Sequence, residues 1–379
     1  MKFFIFLHLF LLSQAVDQDK LHFVLAFVSQ GTVTPKYPIP TDNWKDWEEK
    51  GPDELTAMGM REQYLLGREL RRQYNIINFI DFNYIIDQVR IRMIDHNYAI
   101  MSGQSFLRGF LGDNNAILNA SQMTVAKPPF DIADYFTEKI GAKVLPAGIG
   151  TLPFYTHYPH NEDVFAPIYC PNAQKVNAQM FITDKDVANH RKTYESSFLE
   201  LIAQHYEKRM TFPEYVSLLE SIQSAIYQEK ETSLNLDEEN LIKEFSEALY
   251  HPYRALSKEA NQYRLSGLFN FTATFMNESM NAIVNNVTEK QNIKAAFIFT
   301  EDVMIASFLD LYNRAEIVGS ATIIRFEVYG PKQPTFNNLN VKILKDDTEI
   351  KAYNSFDTFF QEISDFIKAN YTQWCTVKN

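Results

Sequence analysis

Apolar positions form short strand-like runs near both ends of the chain and helical repeats between them. Residues 21–28, 294–299 and 321–329 are apolar runs rich in strand-forming residues, and residues 88–93 alternate polar and apolar side chains. The first run leads into a glycine-containing loop, residues 29–35. In α/β proteins such a loop delivers side chains to a site beyond the strand's carboxyl end.

Helical spacing follows the first strand. Leu66, Leu70 and Tyr74 recur every four residues, which predicts a helix that begins after Thr56 as its N-cap. Residues 101–110 predict a second helix.

The middle of the chain is predominantly helical in pattern. Residues 187–286 keep a helical periodicity that breaks near Pro213 and Pro252. Strands at both ends with helices between them predict an α/β fold, a core sheet flanked by helices that carries an inserted cap. The predicted organisation is a core of residues 16–125 and 265–379, with residues 126–264 as loops plus a mostly helical cap.

The first 15 residues have the three regions of a secretory signal peptide in the usual order. Lys2 precedes an apolar run, residues 3–12, and Ser13-Gln14-Ala15 supplies small residues for cleavage after about Ala15. A buried terminal strand or helix is the alternative. No later stretch approaches the roughly 18 uncharged apolar residues of a membrane span, so we expect a secreted or lysosomal protein without a transmembrane segment.

Composition narrows the possible partners. The chain of 379 residues is 46% hydrophobic and 22% charged, with a net charge of −11. These values are typical of a globular protein rather than a disordered one. An acidic chain without a basic run is poorly suited to nucleic acids or anionic membranes.

Cysteines and sequons agree with the secretory prediction. The 2 cysteines, Cys170 and Cys375, predict one disulfide in an oxidising compartment, with two free buried thiols as the alternative. The candidate N-glycosylation sites are Asn119, Asn270, Asn277, Asn286 and Asn370.

Several segments together resemble a known family. Residues 51–74 read GPDELTAMGMREQYLLGRELRRQY, and residues 101–109 read MSGQSFLRG. With Cys170-Pro171 and residues 326–329, they are similar in order and spacing to the histidine acid phosphatases of the lysosomal and prostatic type. Glu62 stands where the family signature has glutamine.

The resemblance implies a phosphoryl transfer with defined requirements. A histidine attacks phosphorus, arginines clamp the phosphate oxygens, a second histidine adds positive charge, and an aspartic acid protonates the leaving group. The family supplies these groups from an R-H-G-x-R-x-P loop, from an arginine before the M-S-A-Q helix, and from a His-Asp pair after a late strand.

The first motif falls on residues 29–35. Gln30 takes the place of the nucleophilic histidine, while Ser29 and Val33 take those of the two arginines. A glutamine carboxamide is not a nucleophile, because its lone pair is delocalised. No histidine stands beside Ser29 in sequence to act as its base.

The other two motifs have changed as well. Tyr98 stands at the later arginine, and Glu301 replaces the second histidine. Only Asp302 keeps the family residue, as the leaving-group acid if the protein is active. One unit charge 4 Å from another contributes about 4 kcal/mol at an effective dielectric near 20, so these changes predict repulsion of a phosphate dianion.

The sequence therefore predicts a catalytically inactive family member that acts through binding and needs no cofactor or metal. Gln30, Tyr98, Glu301 and Asp302 either form an acidic pocket for a cation, an amine or a neutral sugar rather than phosphate, or they line a degraded cleft without a ligand, in which the carboxylates are simply solvated. Two alternatives remain open. One is an active acid phosphatase with non-standard residues, and the other is a protein-interaction module whose cap binds a partner or a second copy of the chain.

The histidines point to no second site. His157 and His160 have metal-ligand spacing, but on a loop this pattern is more typical of a solvated turn. His22 lies in the first predicted strand, where a structural role is expected. His96 would share a face with Tyr98 if that stretch is extended.

Overall fold

The core is a six-stranded mixed sheet with the order β2-β3-β1-β4-β5-β6. The computed structural model describes residues 19–35, 51–82, 85–112, 117–129, 133–145, 150–156, 170–183, 212–229, 257–285 and 293–375 (without 315 and 317), plus single positions between 185 and 244. The strands are β1 Lys20–Ser29, β2 Val89–Met93, β3 Ala295–Thr300, β4 Ile323–Gly330, β5 Asn340–Lys345 and β6 Thr348–Tyr353.

Strand register brings three strand ends to one edge. β1 pairs with β3 in parallel, with Ser29 opposite Thr300. β2 also runs parallel to β3, with Met93 opposite Phe299. The residues that follow these strands therefore emerge at the same edge, which is where α/β sheets place their sites.

Helices cover both faces of the sheet. They are α1 Ala57–Ile76, α2 Ile85–Gln88, α3 Asn97–Leu111, α4 Ala120–Val125, α5 Asp134–Ile140, α6 Pro171–Thr183, α7 Phe212–Tyr227, α8 Lys258–Val284, α9 Asp302–Leu311, α10 Phe356–Phe366 and α11 Tyr371–Cys375. Leu70 of α1 and Phe106 of α3 pack with Phe297 on one face. Phe269 of α8, Phe308 of α9 and Phe359 of α10 fill the other. The predicted α/β class with a helix-flanked sheet is confirmed.

The helix α1 forms where its pattern predicts. The Thr56 side chain accepts from the Gly59 backbone N–H at 3.1 Å, which satisfies an otherwise unpaired donor of the first turn. Gln63, Gly67, Leu70 and Tyr74 are buried on one side of the helix. Their spacing of three or four residues is that of an amphipathic helix docked on a core.

Two local details go beyond the sequence analysis. His96 has an extended backbone, with φ −131° and ψ 139°, but it is the N-cap of α3, which begins at Asn97 and includes Tyr98, so the condition of an extended stretch is not met. The hairpin β5–β6 lies in a segment for which we predicted no strand. Its two-residue connection places Asp346 at φ 53°, a left-handed conformation that aspartate tolerates in hairpin turns.

Residues of the segment predicted as an insertion, 126–264, contact residues of the predicted core at several points. Cys170 and Cys375 form the disulfide, which joins the start of α6 to α11 across 205 residues. The Trp374 ring stacks on Tyr263 of α8 with centroids 4.1 Å apart. Tyr155 lies in a stretch predicted to be irregular, yet its backbone carbonyl accepts from Met93 N–H at 2.9 Å beside the edge strand β2.

His22 has the structural place expected of it. Its Nε2 lies 2.9 Å from the Pro331 carbonyl oxygen and 3.2 Å from that of Gly330. Burial lowers the pKa of His22 below the usual range. The predicted signal peptide, residues 1–15, and the His157–His160 pair lie outside the described residues. Within the described part of the chain, no helix has both the length and the apolar character needed to cross a membrane.

Candidate functional site

A cleft forms where β1 and β3 end and α3 begins. The Gly31 N–H donates to Ser102 Oγ of α3 at 3.1 Å, which ties the loop after β1 to that helix. The Ile94 N–H donates to the Phe299 carbonyl at 3.1 Å, which ties the chain before α3 to β3. The three segments predicted to carry the family's chemistry are thus brought together.

The loop after β1 lies directly against α1. A Cβ atom added to Gly31 would lie 2.5 Å from the carbonyl oxygen of Gly59. No side chain fits between two backbones at this distance, so only glycine allows the loop and helix to approach so closely.

Ser29 and Val33 stand at the positions that the resemblance gives to the two arginines of the loop, and both residues are bound to other segments of the chain. Ser29 is fully buried, and its Oγ donates to the Gly319 carbonyl at 3.1 Å and accepts from Thr322 N–H at 2.8 Å. Val33 bridges to Leu55, and its carbonyl accepts from Ser224 Oγ of α7 at 3.0 Å. Neither side chain offers a charge to a ligand.

Gln30, in the place of the nucleophile, follows the last residue of β1. Its backbone carbonyl accepts from Ala321 N–H at 2.9 Å. Its side-chain Oε1 is buried, and within the described residues no donor lies within hydrogen-bond distance of it. A buried amide oxygen without a donor is costly, which marks this position as one that a ligand donor would stabilise.

Glu62 was missed by the sequence reasoning as a site residue. Its carboxylate accepts from the Thr32 N–H at 2.9 Å and from Thr32 Oγ1 at 2.8 Å. Tyr227 of α7 also lies beside Glu62, which raises the pKa of that phenol. The change from the family's glutamine to Glu62 was the available signal, because a carboxylate accepts several donors at once.

On the opposite side of the cleft, Tyr98 and Glu301 bind each other. The Tyr98 hydroxyl donates to Glu301 Oε1 at 2.6 Å. Burial and then the negative charge of Glu301 raise the pKa of Tyr98 well above its usual value, and Asp302 and Asp53 add to this effect. The phenol therefore remains a protonated donor at any physiological pH.

His96 lies on the same side of the cleft as Tyr98 and Glu301. Its ring stacks on Tyr98 with centroids 5.2 Å apart and planes 6° from parallel. Its Nε2 lies 3.7 Å from Glu301 Oε1. The pair is adjacent although the stretch from His96 to Tyr98 is not extended throughout, because His96 caps the helix in which Tyr98 occupies the first turn.

Asp302, the retained family position, is the first residue of α9. Its Oδ1 accepts from the Val303 N–H at 2.7 Å. A carboxylate at a helix N-terminus is stabilised by the helix dipole. Within the part of the chain that the structure describes, no group of three or more His, Cys, Asp or Glu side chains is arranged to hold a metal ion.

The candidate glycosylation sites are unequally accessible. Asn119 and Asn370 are exposed at helix starts, and Asn270 is exposed on α8. Asn277 is half-buried on the same helix. Asn286 lies outside the described residues.

A known family model matches most of this chain. Residues 8–316 match the family model of the histidine phosphatase superfamily (branch 2). The chain belongs to this superfamily. The predicted family is thereby confirmed.

Acid phosphatases are among the sequence relatives within this superfamily. Human prostatic acid phosphatase is 26% identical over 243 residues, which is 54% of this chain and 61% of the relative. Mouse testicular acid phosphatase is 35% identical over 106 residues, 27% of this chain and 24% of the relative. The chain thus aligns with about three fifths of the human relative's length.

Solved phytases share the fold. The phytase from Citrobacter braakii superposes with a TM-score of 0.61 at 14% identity, covering 95% of this chain and 100% of the phytase. The Hafnia alvei phytase in complex with tartrate gives a TM-score of 0.58 at 12% identity, covering 95% and 99%. At these identities the likeness extends to the fold alone.

Proposed function

We propose that this protein is a catalytically inactive member of the histidine phosphatase superfamily that acts by binding a cationic or neutral ligand. The observation that carries the proposal is the 2.6 Å hydrogen bond between Tyr98 and Glu301. The resemblance assigns these two positions to an arginine and a histidine, both of which would attract phosphate. Here they form a phenol–carboxylate pair that satisfies itself and leaves a negative charge.

The loop after β1 supports the same proposal. Phosphate sites in proteins depend on backbone N–H groups and cationic side chains that face the ligand. Here the N–H groups of Gly31 and Thr32 already donate to Ser102 and Glu62. A phosphate would have to displace a carboxylate from Thr32 to use that donor.

The charge of the cleft favours a cation or an uncharged ligand. Glu301, Asp302 and Asp53 all act on the Tyr98 hydroxyl. At an effective dielectric near 20, each carboxylate 4 Å from a phosphate charge opposes binding by about 4 kcal/mol before screening. The same carboxylates would attract an amine.

A hydrolysis assay tests the proposal. Purified protein is incubated with p-nitrophenyl phosphate at acid pH, beside the Asp302→Ala variant. We expect no p-nitrophenol release above the buffer blank from either protein. Hydrolysis by the wild type that Asp302→Ala abolishes would contradict the proposal, because it would mean that Asp302 still protonates a leaving group.

An active acid phosphatase is the second candidate. The names of the sequence relatives, prostatic and testicular acid phosphatase, favour it, and Asp302 keeps the family's acid. This candidate needs a nucleophile other than Gln30. The same assay decides between the two, and a trapped phosphoenzyme would identify the nucleophile.

We further propose that the protein enters the secretory pathway. The predicted signal peptide and the Cys170–Cys375 disulfide support this route. Expression of the full chain in animal cells should yield protein in the lumen or the medium that shifts in mobility on glycosidase treatment. Retention in the cytosol with reduced cysteines would contradict this part of the proposal.

A further inference from the structure

A cavity of about 360 Å³ lies at the end of the sheet opposite the cleft. Its lining includes Leu21, Tyr74, Ile76, Ile77, Arg325 and Tyr329. The strand β1 runs from Leu21 at this cavity to Ser29 at the cleft. The lining extends from Leu21 to Arg325, which pairs with Ala26, and it includes none of Gln30, Tyr98, Glu301 and Asp302, so the cavity is a separate feature.

One wall of the cavity is apolar and open to solvent. Ile76 and Ile77, at the C-terminal end of α1, are 63% and 53% exposed. Leu21 lies buried behind them, and the half-buried Tyr329 adds an aromatic ring. Large apolar side chains exposed beside a concave surface are typical of a binding site for a ligand.

The floor of the cavity is polar, and its charges are already paired. The Arg325 guanidinium, 4% exposed, lies 3.2 Å from Glu327 Oε1 and 2.7 Å from Asp347 Oδ1, and it donates to Gln73 Oε1 at 3.2 Å. Glu327 also accepts from the Tyr329 hydroxyl at 2.6 Å. A charged ligand would have to compete with the buried Arg325–Glu327 pair, at a high desolvation cost.

The rim offers no further attraction for an anion. Arg72 is the other guanidinium of the lining, and it pairs with Glu69 at 2.5 Å. Around the cavity, two guanidiniums are therefore matched by the three carboxylates of Glu69, Glu327 and Asp347. This balance opposes an anionic ligand and leaves the apolar wall as the main source of affinity.

We propose that this cavity binds a neutral, largely apolar small molecule of two or three rings that carries one hydrogen-bonding group. Its rings pack on Ile76, Ile77 and Tyr329, and its polar group donates to Gln73 Oε1, which keeps a second lone pair beside the one that accepts from Arg325. The volume is within the roughly 300–1,000 Å³ of small-molecule sites. The proposal is independent of whether the cleft hydrolyses phosphate.

A pair of fluorescent probes tests the proposal on the full chain. N-phenyl-1-naphthylamine is neutral, and 8-anilinonaphthalene-1-sulfonate has a similar ring system with a negative charge. We expect saturable binding of the neutral probe at one site, and at least tenfold weaker binding of the sulfonate. The double variant Ile76→Ser/Ile77→Ser should weaken the neutral probe about tenfold, because it removes most of the apolar wall.

A matched control comes from Ile86, which is 55% exposed and is not in the lining. The Ile86→Ser variant should bind the neutral probe like the wild type, and circular dichroism should show that all variants are folded. If the double variant unfolds, the single Ile76→Ser replaces it, with about threefold weakening expected. Non-saturable binding, equal affinity for both probes, or equal binding by cavity variant and control would overturn the proposal.

Discussion

The two sides of the cleft are held by different kinds of contact. On one side, the loop after β1 is fixed through its backbone groups, since Gly31 approaches the Gly59 backbone closely and the Thr32 N–H donates to Glu62. On the other side, the contact is between two side chains, the Tyr98 hydroxyl and the Glu301 carboxylate. His96 adds a ring contact that remains partly open to solvent.

This difference shows that the position of the loop and the chemical groups in the cleft depend on different contacts. Backbone contacts of the loop depend on small residues and on the position of α1, so they persist whichever side chain occupies position 30. Side-chain contacts across the cleft depend on residue type alone. A fold can therefore keep its loop while the charges that once faced a ligand are replaced, and four variants test this distinction.

The largest effect is expected from Gly31→Ala. The new Cβ would meet the Gly59 carbonyl at 2.5 Å, and neither backbone can give way without moving α1. Overpacking of this kind costs about 3 kcal/mol of unfolding free energy, measurable by urea denaturation. Gly319→Ala is the control, since its Cβ would meet nothing closer than 3.8 Å. Equal stability of the two variants would contradict the backbone contact.

Glu62→Gln should have the next largest effect. The amide is uncharged and its NH2 group replaces one carboxylate oxygen beside Thr32 Oγ1, so the charge-assisted hydrogen bonds of Thr32 weaken, at a cost of about 1.5 kcal/mol. Glu69→Gln is the control on the same helix, because its partner Arg72 is exposed and surface pairs contribute little. A smaller loss of unfolding free energy for Glu62→Gln than for Glu69→Gln would contradict the stabilising role of the Glu62–Thr32 hydrogen bonds.

Tyr98→Phe should cost about 1 kcal/mol at neutral pH, because it deletes one hydrogen bond and keeps the ring. Its pH dependence is more specific. The folded-state pKa of Tyr98 is raised, so the unfolded chain releases this proton near pH 10 while the native protein keeps it. Above pH 10 the wild type should lose about 1 kcal/mol more per pH unit than the variant. Parallel stability curves between pH 9 and pH 11 would refute the pairing.

The smallest effect is expected from Asp302→Asn. The amide can still accept from the Val303 N–H, so we expect the loss to come from the interaction of the charge with the helix dipole. This contributes about 0.5 kcal/mol at low salt. The loss should disappear in 1 M salt, and a salt-independent loss would indicate a different role for the carboxylate.

Elements near the two chain ends could be predicted because their patterns are local. The run at residues 21–28 became β1, and the capping signal at Thr56 became the start of α1. The hairpin β5–β6 was missed although Val341 and Ile343 alternate with polar residues before the Asp346 turn. Its strands carry so many charged side chains that apolar content alone did not reveal them.

Motif positions of the candidate site could also be read from the chain, but their contacts could not. The resemblance placed Gln30, Tyr98 and Glu301 at family positions, and the parallel strands brought the last two into contact. It did not reveal that the Ser29 hydroxyl donates to the Gly319 carbonyl or that Glu62 accepts hydrogen bonds from Thr32. Those contacts join residues far apart in sequence, for which one sequence carries no pairing signal.

The amino-acid sequence by itself determined the superfamily and the class of fold, because these depend on residue types and local spacing, and it predicts that the family's catalytic histidines and arginines are replaced. Only the tertiary structure decided which polar groups satisfy one another. It also created the cavity beside Ile76, at the C-terminal end of α1. Both results follow from packing between distant segments, where geometry rather than composition selects the partners.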